Sequence, residues 1–204
     1  AGPTGVELAA YIREQAEKRR SNVPVMLLEA ADTILPAGNY TRRVLRKTVK
    51  HLEDLGVEVL TGSRVEKVTK QNIVLEGENR RRISMAVWTA GIKTTEVAAA
   101  LGETGPGGRV MVKPDLSLEA HPEIFVAGDA ALVKGGRRLL PCSAQYALQE
   151  AETVADNIVR RARGKKTRRY VAEQRGEFIS IGRGVAMGWM GLVEIWGHDA
   201  QFVK

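Results

Sequence analysis

The 204 residues carry 31 Lys and Arg against 24 Asp and Glu, a formal charge of +7, and only 5% of them are aromatic. The length suffices for a real core in one large or two small domains, no apolar run approaches the roughly 18 residues of a spanning helix, and the amino-terminal residues lack a signal peptide's basic-then-apolar order. A single cysteine, Cys142, excludes an internal disulfide or a cysteine-only metal cluster and points to a reducing, cytoplasmic setting, while the few aromatics set nucleic acid aside as a partner despite the positive charge.

The chain opens on Ala1-Gly2-Pro3-Thr4-Gly5-Val6-Glu7, a dinucleotide fingerprint short of its first glycine, with Gly2 and Gly5 as the second and third. A side chain at these positions would hold the backbone away from a pyrophosphate. Residues Val6 to Arg20 are predicted as a helix whose first amides and dipole favour an anion. The apolar run Val23 to Leu28 ends in Glu29, as a buried parallel strand would. Glu29 follows Gly5 at close to the roughly 20-residue offset at which an acid bonds an adenosine ribose, and its charge disfavours a 2′-phosphate, so NADH is expected over NADPH. A solvated acid at a strand end is the plainer reading of the same residue.

Further along, Leu45, Thr48, Val49, Leu52 and Leu55 recur at helical spacing between Thr41 and Gly56. The segments Val57 to Thr61, Val65 to Thr69 and Asn72 to Leu75 are predicted as a small β meander, and Met85 to Thr89 as a strand. A boundary is expected at the glycine-rich stretch Gly102 to Gly108, dividing the chain into domains 1–104 and 105–204. In the second, a strand Ile124 to Ala127 runs into Gly128-Asp129, which places a carboxylate where it can accept bonds from ligand hydroxyls, although Gly-Asp also suits a plain strand exit. A long helix follows, with Ala144, Ala147, Leu148, Ala151, Val154, Ala155, Ile158 and Val159 along one stripe that should be buried. Phe178 to Ile181 and Val185 to Trp189 flank Gly182-Arg183-Gly184 as a hairpin.

Together, Gly2-Pro3-Thr4-Gly5-Val6-Glu7, Trp88-Thr89-Ala90-Gly91, Ile124 to Ala130 and Leu140-Pro141-Cys142-Ser143-Ala144-Gln145 resemble the pyridine nucleotide-disulfide reductase superfamily, and within it the type II NADH dehydrogenases, which are NADH:quinone oxidoreductases. The resemblance implies an α/β flavoprotein with two dinucleotide-binding domains: residues 1–104 as a Rossmann-like NADH domain with a small β meander, and 105–204 as the carboxyl-terminal part of the FAD domain. It implies NADH and FAD as cofactors and a membrane quinone as partner, on an enzyme peripheral to the inner face of the cell membrane. By the same resemblance Asp129 binds the ribityl chain of FAD, Ala90 and Gly91 border the NADH site, and Ala144 and Gln145 lie beside the flavin ring and quinone pocket. Glu7 stands where family members keep an acid near the flavin for quinone-side proton handling; a solvent-facing acid in a first helical turn accounts for it equally well. No metal site is expected. Cys142, with no second thiol to pair with, is expected to be a packing residue, and His51, His121 and His198 are given no role.

The family's opening FAD-binding unit and the first strand of its NADH domain have no counterpart here, so the chain is expected to be a fragment that is inactive alone. An absent central strand would leave sheet edges open to pairing, which allows a homodimer. A sulfide:quinone oxidoreductase relative and a non-catalytic nucleotide-binding module stand as alternatives. Arg80-Arg81-Arg82 and the Lys165 to Arg169 run fit solvated turns or an anionic lipid surface. Trp189, Met190, Trp196 and Phe202 fit a membrane-facing surface.

Overall fold

The computed structural model describes residues 1–136 and 138–203; Arg137 and Lys204, both within the expected second domain, lie outside the described residues. Packing divides the chain into one unit of Ala1–Ala90 with Arg175–Lys204 and another of Gly91–Gln174. This grouping differs from a single cut near residue 104, because the last thirty residues pack with the first ninety.

In the first unit, helix α1 (Pro3–Lys18) starts with Gly2 as N-cap and Pro3 at its first position, where a missing N–H costs nothing. Strand β1 (Val25–Leu28) pairs in parallel with β2 (Val57–Leu60), joined through α2 (Arg42–Asp54). Helix α2 begins and ends where local rules place it: Thr41 accepts the Val44 amide, and Gly56 takes a φ of +88° just past the C-cap Leu55. Strand β2 is thus in the parallel pair and not in the meander. The meander consists of β3 (Val65–Val68), β4 (Asn72–Leu75) and β5 (Asn79–Arg82), all antiparallel. Arg80, Arg81 and Arg82 are accordingly strand residues, with Arg81 3.8 Å from Glu58. Met85 to Thr89 does not form a strand: no described strand pairs with it, and Met85, Val87 and Trp88 are exposed.

In the second unit, α3 (Glu96–Ala99) precedes the short parallel pair β6 (Val110–Met111) and β7 (Ala131–Leu132), the hairpin β8 (Lys134–Gly135) with β9 (Arg138–Leu139), and helix α4 (Ala144–Ala162). The expected strand Ile124 to Ala127 is reduced to one bridge, Ser117 to Phe125. Val110, Leu116, Leu118, Val126, Ala131, Val133 and Tyr170 form the core. Helix α4 buries a different face from the one expected. Tyr146, Glu150 and Asn157 are buried, whereas Leu148 is 68%, Ile158 51% and Val159 46% exposed. The polar face wins because its groups have dedicated partners: Asn157 donates to the carbonyls of Asp115 (3.0 Å) and Arg168 (2.8 Å) and accepts the Arg168 amide (2.6 Å), so its burial leaves nothing unmet.

The chain then returns to the first unit as an antiparallel sheet of β10 (Gly176–Ser180), β11 (Ala186–Met190) and β12 (Val193–Gly197), followed by α5 (His198–Val203). The predicted hairpin around Gly182-Arg183-Gly184 is present. Gly188 faces Phe178 across it, and any side chain there would meet the Glu177 carbonyl and the Phe178 ring. Apolar packing and hydrogen bonds tie this sheet to the first ninety residues. Ile179, Ile181, Val185 and Met187 complete the core with Val6, Leu27, Leu52 and Val57. Both carboxylate oxygens of Glu194 accept from Thr41, one from its amide and one from its hydroxyl, each at 2.6 Å. Trp189 is buried and Trp196 packs on the core beneath Lys47, so among the described residues the exposed large apolar side chains of this end are Met190, Leu192, Val193 and Phe202.

Candidate functional site

The sequence-predicted site residues fall into two sets. Gly2, Pro3, Thr4, Gly5, Glu7, Glu29 and Ala90 belong to the first unit, and Gly91, Gly128, Asp129, Ala144 and Gln145 to the second.

In the first set, the amino end of α1 is bare. Gly2 supplies no side-chain cap, Pro3 and Thr4 are exposed, and a Cβ on Gly2 would meet nothing within 4 Å. The first-turn amides lack a side-chain cap and carry the positive end of the dipole, an arrangement that can take an anion. Gly5 does the opposite work. Buried in the same turn, its absent side chain would lie 2.9 Å from the Thr89 hydroxyl, so glycine suits the close approach of α1 to the 85–89 segment, whereas a Leu27 methyl at 3.6 Å would be an ordinary contact. Glu29, at the end of β1, lies against residue 1: one carboxylate oxygen is beside the backbone nitrogen of residue 1 and the other accepts the Ala31 amide (2.8 Å). The acid and the glycine turn are thus adjacent, although they are far apart in sequence. Thr89 lies beside Gly5, and Ala90 follows it in a bend.

Glu7 lies one turn further along α1 and is half-buried. Its carboxylate accepts the Ser180 amide of β10 at 3.0 Å. It lines a small cleft with Tyr11, Glu14, Ser180, Val185 and Gln201.

In the second set, Gly128 and Asp129 begin a single 3-10 turn, Gly128–Ala130, with Gly128 at a φ of +67° and Asp129 exposed. Ala144 and Gln145 are the first residues of α4, whose N-cap Ser143 accepts the Tyr146 amide; the helix start thus carries the positive dipole end, as expected there. A side chain on Gly128 would touch Ala147 of this helix. Burial pushes the Cys142 thiol above its ordinary range; Arg109 opposes the rise, and the Asp129 and Glu150 carboxylates add to it. A raised thiol pKa disfavours the thiolate that nucleophilic chemistry needs. Two residues that sequence reasoning did not single out hold this turn: Glu150 and Arg109. Glu150 accepts the Gly128 amide at 2.6 Å, and Arg109 donates to the Ala131 carbonyl at 2.6 and 2.9 Å and to Leu140 at 3.1 Å. An acid in the middle of a helical stripe was the only hint of the first.

Both sets suit the groups expected of them. The Gly2 side is open, since a Cβ there would meet nothing within 4 Å, and Gly5 lets the helix lie close to the 85–89 segment. Asp129 offers an exposed acceptor on a turn secured at both ends. Among the described residues, no group of three or more His, Cys, Asp or Glu is placed to hold a metal ion, and no helix is long and apolar enough to cross a membrane.

The parallel pair β1–β2 with α1 and α2 packed on it defines an α/β protein. A family model described as pyridine nucleotide-disulphide oxidoreductase matches residues 1–151, and the chain belongs to that family. A type II NADH:quinone oxidoreductase of Staphylococcus epidermidis is 32% identical over 216 residues, taking in 100% of this chain and 53% of that protein. One from Staphylococcus aureus is 29% identical over the same length and the same shares. The chain spans about half the length of the curated relatives it matches. Among solved structures, NDH2 from Plasmodium falciparum in complex with NADH superposes with a TM-score of 0.82 at 16% identity, over 96% of this chain and 57% of that one. A FAD-dependent pyridine nucleotide-disulphide oxidoreductase from Desulfovibrio vulgaris gives 0.67 at 19%, over 92% and 46%. The fold is therefore the α/β architecture of these flavoproteins, as the motifs implied.

Proposed function

We propose that this chain is the NADH-binding part and a portion of the FAD-binding part of a type II NADH:quinone oxidoreductase. The observation that carries the reading is the packing of Gly5 against Thr89 and Leu27 while Gly2 faces open space and Glu29 lies against residue 1. That is the stereochemistry of a diphosphate at a helix start with a ribose acid next to it. Residues 1–104 carry NADH in this reading: the amides of Thr4 and Gly5 receive the diphosphate, Glu29 accepts the ribose hydroxyls, and Ala90 and Gly91 border the nicotinamide end. The FAD contacts come from the second unit: Asp129 accepts hydroxyls of its polyol, and Ala144 and Gln145 present the start of α4 to the ring. FAD, when bound, supplies acceptance of a hydride and onward transfer of two electrons to the quinone. The chain's own contribution is positioning, exclusion of water and electrostatics at two helix starts.

Glu7 handles the quinone-side proton in this reading, with the Ser180 amide orienting its carboxylate. The enzyme is peripheral to the inner face of the cell membrane, with Met190, Leu192 and Phe202 among the apolar residues it exposes. The test is a flavin absorption spectrum and NADH-dependent reduction of a soluble quinone by the full-length protein. Flavin absorbance with turnover supports the reading. NADH binding without flavin would turn it into that of a non-catalytic module. Glu7→Gln is expected to slow quinone reduction more than NADH oxidation by a soluble dye, and equal slowing removes the proton role.

A further inference from the structure

The buried carboxylate of Glu150 lies outside the machinery just described. It is 3% exposed, in a helix face whose other buried polar side chain, Asn157, is uncharged, and it spends one oxygen on the amide of Gly128 at 2.6 Å. A charge at such depth costs free energy unless its bonds are made. The amide it takes opens the turn that presents Asp129, and that turn begins in the left-handed region, at a φ of +67°. At the other end, the Arg109 guanidinium places two of its N–H groups on the carbonyl of Ala131, the residue directly after the turn, and a third on Leu140. A carboxylate on the entering N–H and a guanidinium on the leaving C=O hold the backbone from both sides, and both are charge-assisted bonds, stronger than neutral ones. Tyr170, whose hydroxyl is buried with no hydrogen-bond partner, adds no anchor to the turn.

We propose that Glu150 is a positioning residue for the Asp129 turn: with Arg109 opposite, it fixes the backbone that offers the Asp129 carboxylate to the hydroxyl-bearing chain of the flavin. The inference rests on the reading that Asp129 meets that chain. Recognition of a polyol by one carboxylate requires the acceptor to be held within about half an ångström, and an exposed side chain on a three-residue turn has only its backbone anchors to provide that. Burial pushes the Glu150 carboxyl above its ordinary range, against the opposing pull of the Gly128 amide and Arg109, and the Asp129 charge adds to the rise. Glu150→Gln therefore keeps the acceptor oxygen and relieves the buried charge, whereas Glu150→Ala removes the anchor.

The experiment uses the full-length protein and two readouts, hydrogen exchange over residues 127–132 by mass spectrometry and the FAD dissociation constant by flavin fluorescence. E150A is expected to accelerate exchange over 127–132 and to weaken FAD by about tenfold or more, the scale of one hydrogen bond to a charged group. E150Q is expected to restore both to within about threefold. Asn157→Ala, which loses a buried polar group on the same helix that does not touch the turn, is expected to leave both unchanged. Unchanged exchange in E150A, or an N157A protein that reproduces both effects, overturns the proposal. Asp129→Asn separates it from the underlying reading: accelerated exchange in E150A beside an unaltered FAD affinity in D129N upholds the hold on the turn and removes the flavin assignment alone. If E150A does not fold, Glu150→Asp carries the test, since it keeps the charge but withdraws the acceptor by one methylene; accelerated exchange supports the proposal and unchanged exchange overturns it.

Discussion

Replacing Gly5 by alanine adds one methyl group at the point where α1 meets the 85–89 segment. The new Cβ would lie 2.9 Å from the Thr89 hydroxyl, too close without movement, and 3.6 Å from Leu27, an ordinary contact. Overpacking of this kind costs about 1–3 kcal/mol. Alanine returns at most about 1 kcal/mol of helix propensity, and less in a first turn. The net expectation is a loss of about 1–2 kcal/mol, a drop in Tm of about 2–8 °C for a chain of this size. In a Thr89→Ala background the obstructing oxygen is gone, so Gly5→Ala should cost nothing or stabilise slightly. The assay is urea or thermal unfolding of the four proteins of a double-mutant cycle, with a coupling of about 1–2 kcal/mol expected between positions 5 and 89. Additive costs, within about 0.3 kcal/mol, would refute the claim that glycine is needed at position 5 for this approach.

Three further outcomes are expected. Glu29→Ala should weaken NADH binding by about tenfold, as for one charged hydrogen bond, and narrow its preference over NADPH, both measurable by fluorescence titration; an unchanged NADH affinity would remove the ribose assignment. Leu148→Lys and Ile158→Lys should leave the unfolding midpoint of this chain within about 0.5 kcal/mol of wild type, because both side chains are exposed on α4. Had the apolar stripe been the buried one, each would cost several times that. Alkylation of Cys142 by iodoacetamide should show its pH profile displaced upward from that of a free thiol, because burial favours the protonated form and thiolate appears only at higher pH. A profile that matches or lies below the free thiol's contradicts the packing role.

Features set by neighbouring residues were legible in the sequence. Thr41 and Gly56 bracket α2 through a side-chain oxygen and a positive φ, and Gly182-Arg183-Gly184 makes its hairpin, all within a few residues. What depends on distant partners was not. Four branched residues from Val57 to Leu60 suit a meander as well as a parallel pair, and only the partner β1 decides. The apolar spacing of α4 marked a genuine stripe, but Asn157 and Glu150 are drawn inward by groups as far as 42 and 22 residues away, and most of the stripe, Ala147 and Val154 apart, remains outside. The return of residues 175–204 to the first ninety rests on contacts such as Glu194 with Thr41, 153 residues apart, which no local pattern signals. At the candidate site the glycines, Glu29 and Asp129 could be named in advance because residue type alone suggests a proposed role for each. Arg109 and Glu150 could not, since their task is to bind backbone that lies far from them along the chain.

The direct test of a nucleotide at the start of α1 is chemical-shift mapping of the isotopically labelled protein titrated with NADH. The account predicts the largest displacements at the amides of Thr4, Gly5 and Val6, with Glu29 and Ala31 following on the same titration curve. Saturable shifts confined to other parts of the first unit, such as the cleft between the carboxyl ends of α1 and α2 lined by Arg13, Glu17 and Arg183, would contradict it.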